Sequence, residues 1–167
     1  TSQSVTLTVG SYSTRFDVTT AVADRVPTPF SFDPISGVLV NTAVTSSTRT
    51  VNGINAPTPI SIEGGEYSIS GAAFTSAPGT VLNGQGIRVR VISSSAFVST
   101  KRAVVTIGGV SGNFDVTTVA EDPVPDAFAF TEATNVTLDT WVSSSSAGIW
   151  GINTAAPVSV ENGEYSI

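Results

Sequence analysis

Ile87-Arg88-Val89-Arg90-Val91 alternates apolar and polar side chains without a break. An extended chain therefore puts Ile87, Val89 and Val91 on one face and both arginines on the other, the pattern of a half-buried strand. Outward from it the same period of two returns in Ala103-Val104-Val105-Thr106-Ile107 and in Val5-Thr6-Leu7-Thr8-Val9. Phe30 and Phe32 flank Ser31, and Phe114 and Val116 flank Asp115. Between these runs stand turn pairs: Asp33-Pro34, Asn52-Gly53, Gly64-Gly65, Pro78-Gly79, Asn83-Gly84 and Gly108-Gly109. No segment long enough for a helix carries a 3.6-residue period. Short alternating strands between Gly, Pro and Asn turns predict an all-β chain of antiparallel β-sandwiches of immunoglobulin type. The chain has no cysteine, so an antibody-type Cys-Trp-Cys core is excluded.

The strands also repeat. Phe16-Asp17-Val18-Thr19-Thr20 returns as Phe114-Asp115-Val116-Thr117-Thr118, Gly53-Ile54-Asn55 as Gly151-Ile152-Asn153, and Glu66-Tyr67-Ser68-Ile69 as Glu164-Tyr165-Ser166-Ile167, each displaced by 98 positions. Sliding the chain by 98 aligns 1–69 with 99–167 without a gap, and 29 of the 69 pairs are identical. The expected organisation is a window on a tandem array: 1–26 the C-terminal part of one repeat, 27–124 a complete repeat, 125–167 the N-terminal part of the next. The junctions Ala21-Val-Ala-Asp-Arg-Val-Pro27 and Val119-Ala-Glu-Asp-Pro-Val-Pro125 are short and proline-bearing. They predict semi-rigid links and a rod of end-to-end domains.

Composition narrows the chemistry. The 167 residues include no His, Cys or Met, 46 Ser plus Thr, 13 acidic and 7 basic residues. Without His or Cys there is no imidazole base, no Ser-His or Cys-His nucleophile and no zinc site of the usual kind. An enzyme is not expected. A net charge of −6 opposes nucleic-acid and anionic-membrane partners. No apolar run approaches the roughly 18 residues of a spanning helix, so no membrane insertion is expected. Residue 1 is not Met, and any export signal is expected to lie outside these residues.

Four constellations stand out. Glu63-x-x-Glu66, copied as Glu161-x-x-Glu164, reads as a glycine-containing hairpin turn with outward carboxylates, ahead of calcium binding or acid–base chemistry. Glu121, Asp122 and Asp126 at the second junction form a further candidate calcium site, set against a solvated acidic linker. Three oxygens are fewer than the six to eight calcium takes, and the first junction carries Ala23 and Thr28 in place of Glu121 and Asp126. No other cofactor is expected. Trp141 and Trp150 stand where the complete repeat has Ala43 and Asn52. Trp141 is out of phase with Leu138 and Val142, and Trp150, between Ile149 and Gly151, is out of phase with the apolar position there, so both are expected to point outward, as interface or adhesion residues that pack on a neighbouring domain or subunit, or stack on a sugar. Asn135-Val136-Thr137 is the lone N-glycosylation sequon.

The strings Gly64-Gly-Glu-Tyr-Ser-Ile69, Gly53-Ile-Asn-Ala56, Val81-Leu-Asn-Gly-Gln85 and Val104-Val-Thr-Ile-Gly-Gly-Val-Ser111, with Phe-Asp-Val-Thr-Thr, resemble the tandem immunoglobulin-like repeats of large bacterial surface proteins. The resemblance covers the whole chain. It implies immunoglobulin-like or fibronectin-III-like sandwiches in an extracellular fibre, adhesin stalk or matrix protein at the surface of a Gram-negative bacterium. No binding or catalytic residue is carried over with it. The expected function is structural, with neighbouring repeats or identical subunits as partners; a glycan-binding module presenting Trp141 and Trp150 is the alternative. Because both ends cut through a repeat, either the polypeptide continues and supplies the rest, or 126–167 of one subunit packs with 1–26 of the next in a head-to-tail fibre. At such a joint positions 70–98 would have no counterpart.

Overall fold

A computed structural model describes residues 1–167. It contains eleven strands and no helix: β1 (Ser2–Val9), β2 (Tyr12–Thr19), β3 (Ile35–Val38), β4 (Ala43–Thr45), β5 (Arg49–Thr50), β6 (Thr58–Glu63), β7 (Glu66–Ile69), β8 (Gly79–Val81), β9 (Gly86–Ile92), β10 (Thr100–Ile107) and β11 (Val110–Thr118). Strands β3 to β11 make two sheets around one core. The first runs β3-β11-β10-β6-β8; in the second β9 is central, with β4 and β5 along one edge and β7 along the other. The pairing is antiparallel except between β3 and β11, which run parallel.

The alternation sets the core. Ile87, Val89 and Val91 of β9, Ala103, Val105 and Ile107 of β10, and Phe114 and Val116 of β11 are each at most 2% exposed. Phe32 joins them edge-on to Phe114, ring centroids 6.3 Å apart. Phe30-Ser31-Phe32 is not a strand, contrary to its alternation. It is held by one backbone bond, Phe32 N–H to Asn113 O at 3.2 Å, and by burial of Phe32.

The turn at Gly64-Gly65 departs from the expected hairpin. β6 pairs with β10 and β8, whereas β7 pairs with β9, so the turn carries the chain from one sheet to the other. A hairpin requires its two strands to bond each other, and these bond strands of different sheets. Gly64 sits at φ 76°, and a Cβ there would collide with the carbonyl of Arg102, so the corner needs glycine for both backbone and space.

On either side of this unit the chain behaves differently. β1 and β2 form a separate antiparallel hairpin whose eight register pairs, Ser2↔Thr19 to Val9↔Tyr12, are those of β10 and β11, Thr100↔Thr117 to Ile107↔Val110, each displaced by 98. Residues 119–167 hold no strand, although Leu138-Asp-Thr-Trp-Val142 alternates as its counterpart does. The pairing scheme explains this. Every strand pairing that β3 to β7 make in the complete unit is with β8, β9, β10 or β11. The 125–167 stretch copies β3 to β7 alone, so no partner strand is present. β1 and β2 copy the one pair that bonds itself.

Local geometry nevertheless persists in the tail. Positive φ recurs at Gly37 and Asn135, Asn41 and Asp139, Gly53 and Gly151, and Gly64 and Asn162. Phe128 and Phe130 keep the edge-on contact of Phe30 and Phe32, both at 6.1 Å.

Candidate functional site

The feature the chain builds twice is the junction. At the first, the backbone N–H of Asp24 donates to Asn55 Oδ1 at 2.6 Å, and the Asn55 N–H donates back to the Asp24 carbonyl at 3.0 Å. Asn55 Nδ2 reaches the Val22 carbonyl at 3.0 Å, and Asp24 Oδ1 accepts from Val26 N–H at 2.9 Å. Thr28 N–H donates to the Asn52 carbonyl at 2.8 Å. At the second junction Asp122, Asn153, Ala120, Val124, Asp126 and Trp150 make the same five bonds at 2.8–3.0 Å.

The chemistry of the pair dictates the arrangement. An asparagine side chain offers one acceptor and a donor amide, so it clamps an extended strand through both an N–H and a C=O. An aspartate two residues before a turn N–H closes an Asx turn, which bends the linker at a fixed place. Gly53 lies under it at φ 91°; a Cβ there would stand 2.7 Å from Thr28 Oγ1. Arg25 adds a bond from Nε to the Pro57 carbonyl at 3.0 Å, and its own carbonyl rests on Gly108 in the β10–β11 turn. Residues 22–28 are thus fastened to the unit that follows them, although the sequence places 22–26 with the preceding one.

The calcium candidates are not gathered into a ligand set. Asp122 spends Oδ1 on the Val124 N–H, the Asp126 carboxyl lies against Gly151, and the chain contains no cluster of three or more acidic side chains placed to hold a metal. Glu63 and Glu66 also separate: Glu66 forms an ion pair with Arg90, Nη2 to Oε2 at 2.5 Å, while Arg90 lies 4.3 Å from the Phe74 ring centroid.

Trp141 and Trp150 are 87% and 75% exposed, but inward-phased Leu138 is 89% exposed beside them because the tail lacks its covering strands. Their counterparts Ala43 and Asn52 are exposed in the complete unit, where burial does discriminate. Asn52 lines an open groove of about 650 Å³ with Pro29, Phe30, Ser31, Arg49 and Thr50. Its one cation, Arg49, is paired to Asp33 at 2.7 Å. The asparagine half of the junction was missed in the sequence, although Gly-Ile-Asn recurs verbatim; only folding puts Asn55 beside Asp24, 31 residues earlier.

No protein-family model and no curated protein matches the chain. No helix is long and apolar enough to cross a membrane.

Proposed function

We propose that the chain is a stretch of a tandem immunoglobulin-like array with a 98-residue repeat, in an extracellular bacterial surface protein where it serves as a rod, stalk or fibre. The observation that carries this reading is the junction. Two links 98 residues apart are fastened by the same five hydrogen bonds, through Asp24 and Asn55 and through Asp122 and Asn153. A link fixed to its following domain at each repeat propagates one orientation along the array, which is what a load-bearing stalk requires. Calcium is not needed for that stiffness, and the function is structural, with no catalytic residue.

Small-angle scattering on a chain extended by further whole 98-residue units tests it: length should grow in proportion to the number of units at constant cross-section. A compact or randomly bent particle would count against the rod. Immunogold labelling of intact cells should decorate the surface, and labelling only after lysis refutes the location.

The exposure of Ala43 and Asn52, which hold the places of Trp141 and Trp150 in the central unit, favours a second reading, glycan binding by the same rod through the two tryptophans. Glycan-array binding lost on Trp141→Ala would establish it; an array without signal removes it.

A further inference from the structure

The inward residues of β1–β2, namely Val5, Leu7, Val9, Phe16 and Val18, are 49–72% exposed, whereas their counterparts Ala103, Val105, Ile107, Phe114 and Val116 are fully buried. In the complete unit that burial is supplied by three kinds of strand. β6 lies on the free edge of β10, β3 on the free edge of β11, and β9 brings Ile87, Val89 and Val91 from the opposite sheet. All three lie within 27–98.

The surface of β1–β2 is not a plain copy, however. Gly112, in β11, has no positive φ, so glycine is there for space. A Cβ on it would stand 2.5 Å and 2.6 Å from Phe30 Cε2 and Cδ2 and 2.9 Å from the Phe30 carbonyl oxygen. The same position in β2 is Thr14. Gly65 adds a second such place: a Cβ on it would stand 3.1 Å from the Ala103 Cβ, and β1 has the larger Val5 where β10 has Ala103. A stretch bearing phenylalanine at the place of Phe30 thus fits Gly112 and is obstructed by Thr14.

Resting on the tandem-array reading, we infer that β1–β2 takes a β3-to-β9 type stretch with a side chain smaller than phenylalanine at the place of Phe30, and that positions 14/112 and 30/128 decide which half-repeat accepts which. Residues 125–167 of a second copy are not the occupant. Their Phe128 meets Thr14, and they hold no counterpart of β9, the strand to which β4, β5 and β7 all bond. Phe128 instead calls for a β11-type strand with glycine at the place of Gly112.

The test extends the full chain by placing a copy of residues 27–98 directly before Thr1, so that the junction reproduces Val98-Ser99 in phase. Two versions carry phenylalanine or alanine at the added copy of position 30. Hydrogen exchange of the β1–β2 amides should slow roughly tenfold or more in the alanine version relative to the phenylalanine version. Equal or better protection with phenylalanine overturns the selectivity and leaves the array reading intact; protection in neither version overturns the array reading as well. Within the central unit, Gly112→Thr should lower the melting temperature by roughly 5–15 °C. It should raise it in a Phe30→Ala background, where threonine fills the space and favours the strand. A lowering in both backgrounds refutes the steric match. Sedimentation velocity of the unextended chain should give one species at all concentrations, and concentration-dependent growth would make a second copy the occupant and overturn the inference.

Discussion

Phe16 and Phe114 occupy the same register position in two hairpins of the same pairing, yet truncating them should have very unequal consequences. Phe114 is fully buried, with its ring edge-on to Phe32. Removing a core phenylalanine costs about 3–5 kcal/mol, the lost transfer energy plus the cavity it leaves. A unit of this size has about 5–15 kcal/mol to lose. With a urea m-value of ~2 kcal/mol/M, Phe114→Ala should lower the midpoint of the central transition by about 2 M. Phe16 is 68% exposed, and β1–β2 is a separate two-stranded sheet. Phe16→Ala should leave that midpoint within about 0.3 M, as expected of a distant, independent site. Urea titrations followed by far-ultraviolet circular dichroism would check both. A Phe16→Ala shift as large as that of Phe114→Ala would refute the independence of the central unit, and a Phe114→Ala shift below about 0.5 M would refute its core.

Asn55→Ala removes both side-chain arms of the first junction clamp and should cost the central unit about 1 kcal/mol, since exposed hydrogen bonds are each worth little; limited proteolysis should then cut faster within 20–26. Burial raises the Tyr67 phenol above its ordinary 10.0, and its hydroxyl donates to the Ala77 carbonyl at 2.9 Å. The folded state therefore keeps a proton that the unfolded chain releases, so stability falls as pH rises above about 10, and Tyr67→Phe should flatten that limb in pH-dependent melting. Hydrogen bonds from Arg102, Nε at 2.7 Å and Nη2 at 2.8 Å, and to a lesser extent its charge, hold the Asp115 carboxyl below its ordinary 3.8. Here the contribution is present above the unfolded carboxylate value and is lost as pH falls through the folded one. Asp115→Asn should therefore flatten the acid limb below about pH 4.

Much of the core was legible before folding. The period of two in Ile87–Val91 and Ala103–Ile107 names side chains that are all at most 2% exposed except Val104 and Thr106 and the two arginines, which alternate outward. Glycine and asparagine pairs marked real breaks: Gly108-Gly109 joins β10 to β11, and Asn83-Gly84 separates β8 from β9. The Glu63–Glu66 corner was misread as a hairpin because a turn signal records where the chain bends and not which strand receives it. The alternation of the tail yields no strand because alternation specifies a face, whereas a strand also needs a partner to satisfy its backbone N–H and C=O groups.

By itself the sequence determined the all-β character, the inward residues and the 98-residue spacing, because side-chain alternation and self-identity are local or arithmetic properties of the chain. Only the tertiary structure decided which strands bond, that Asp24 and Asn55 close on each other, and that Gly112 exists to seat Phe30. The last two depend on contacts between residues about 30 and about 80 positions apart, and steric fit at that range is created by folding.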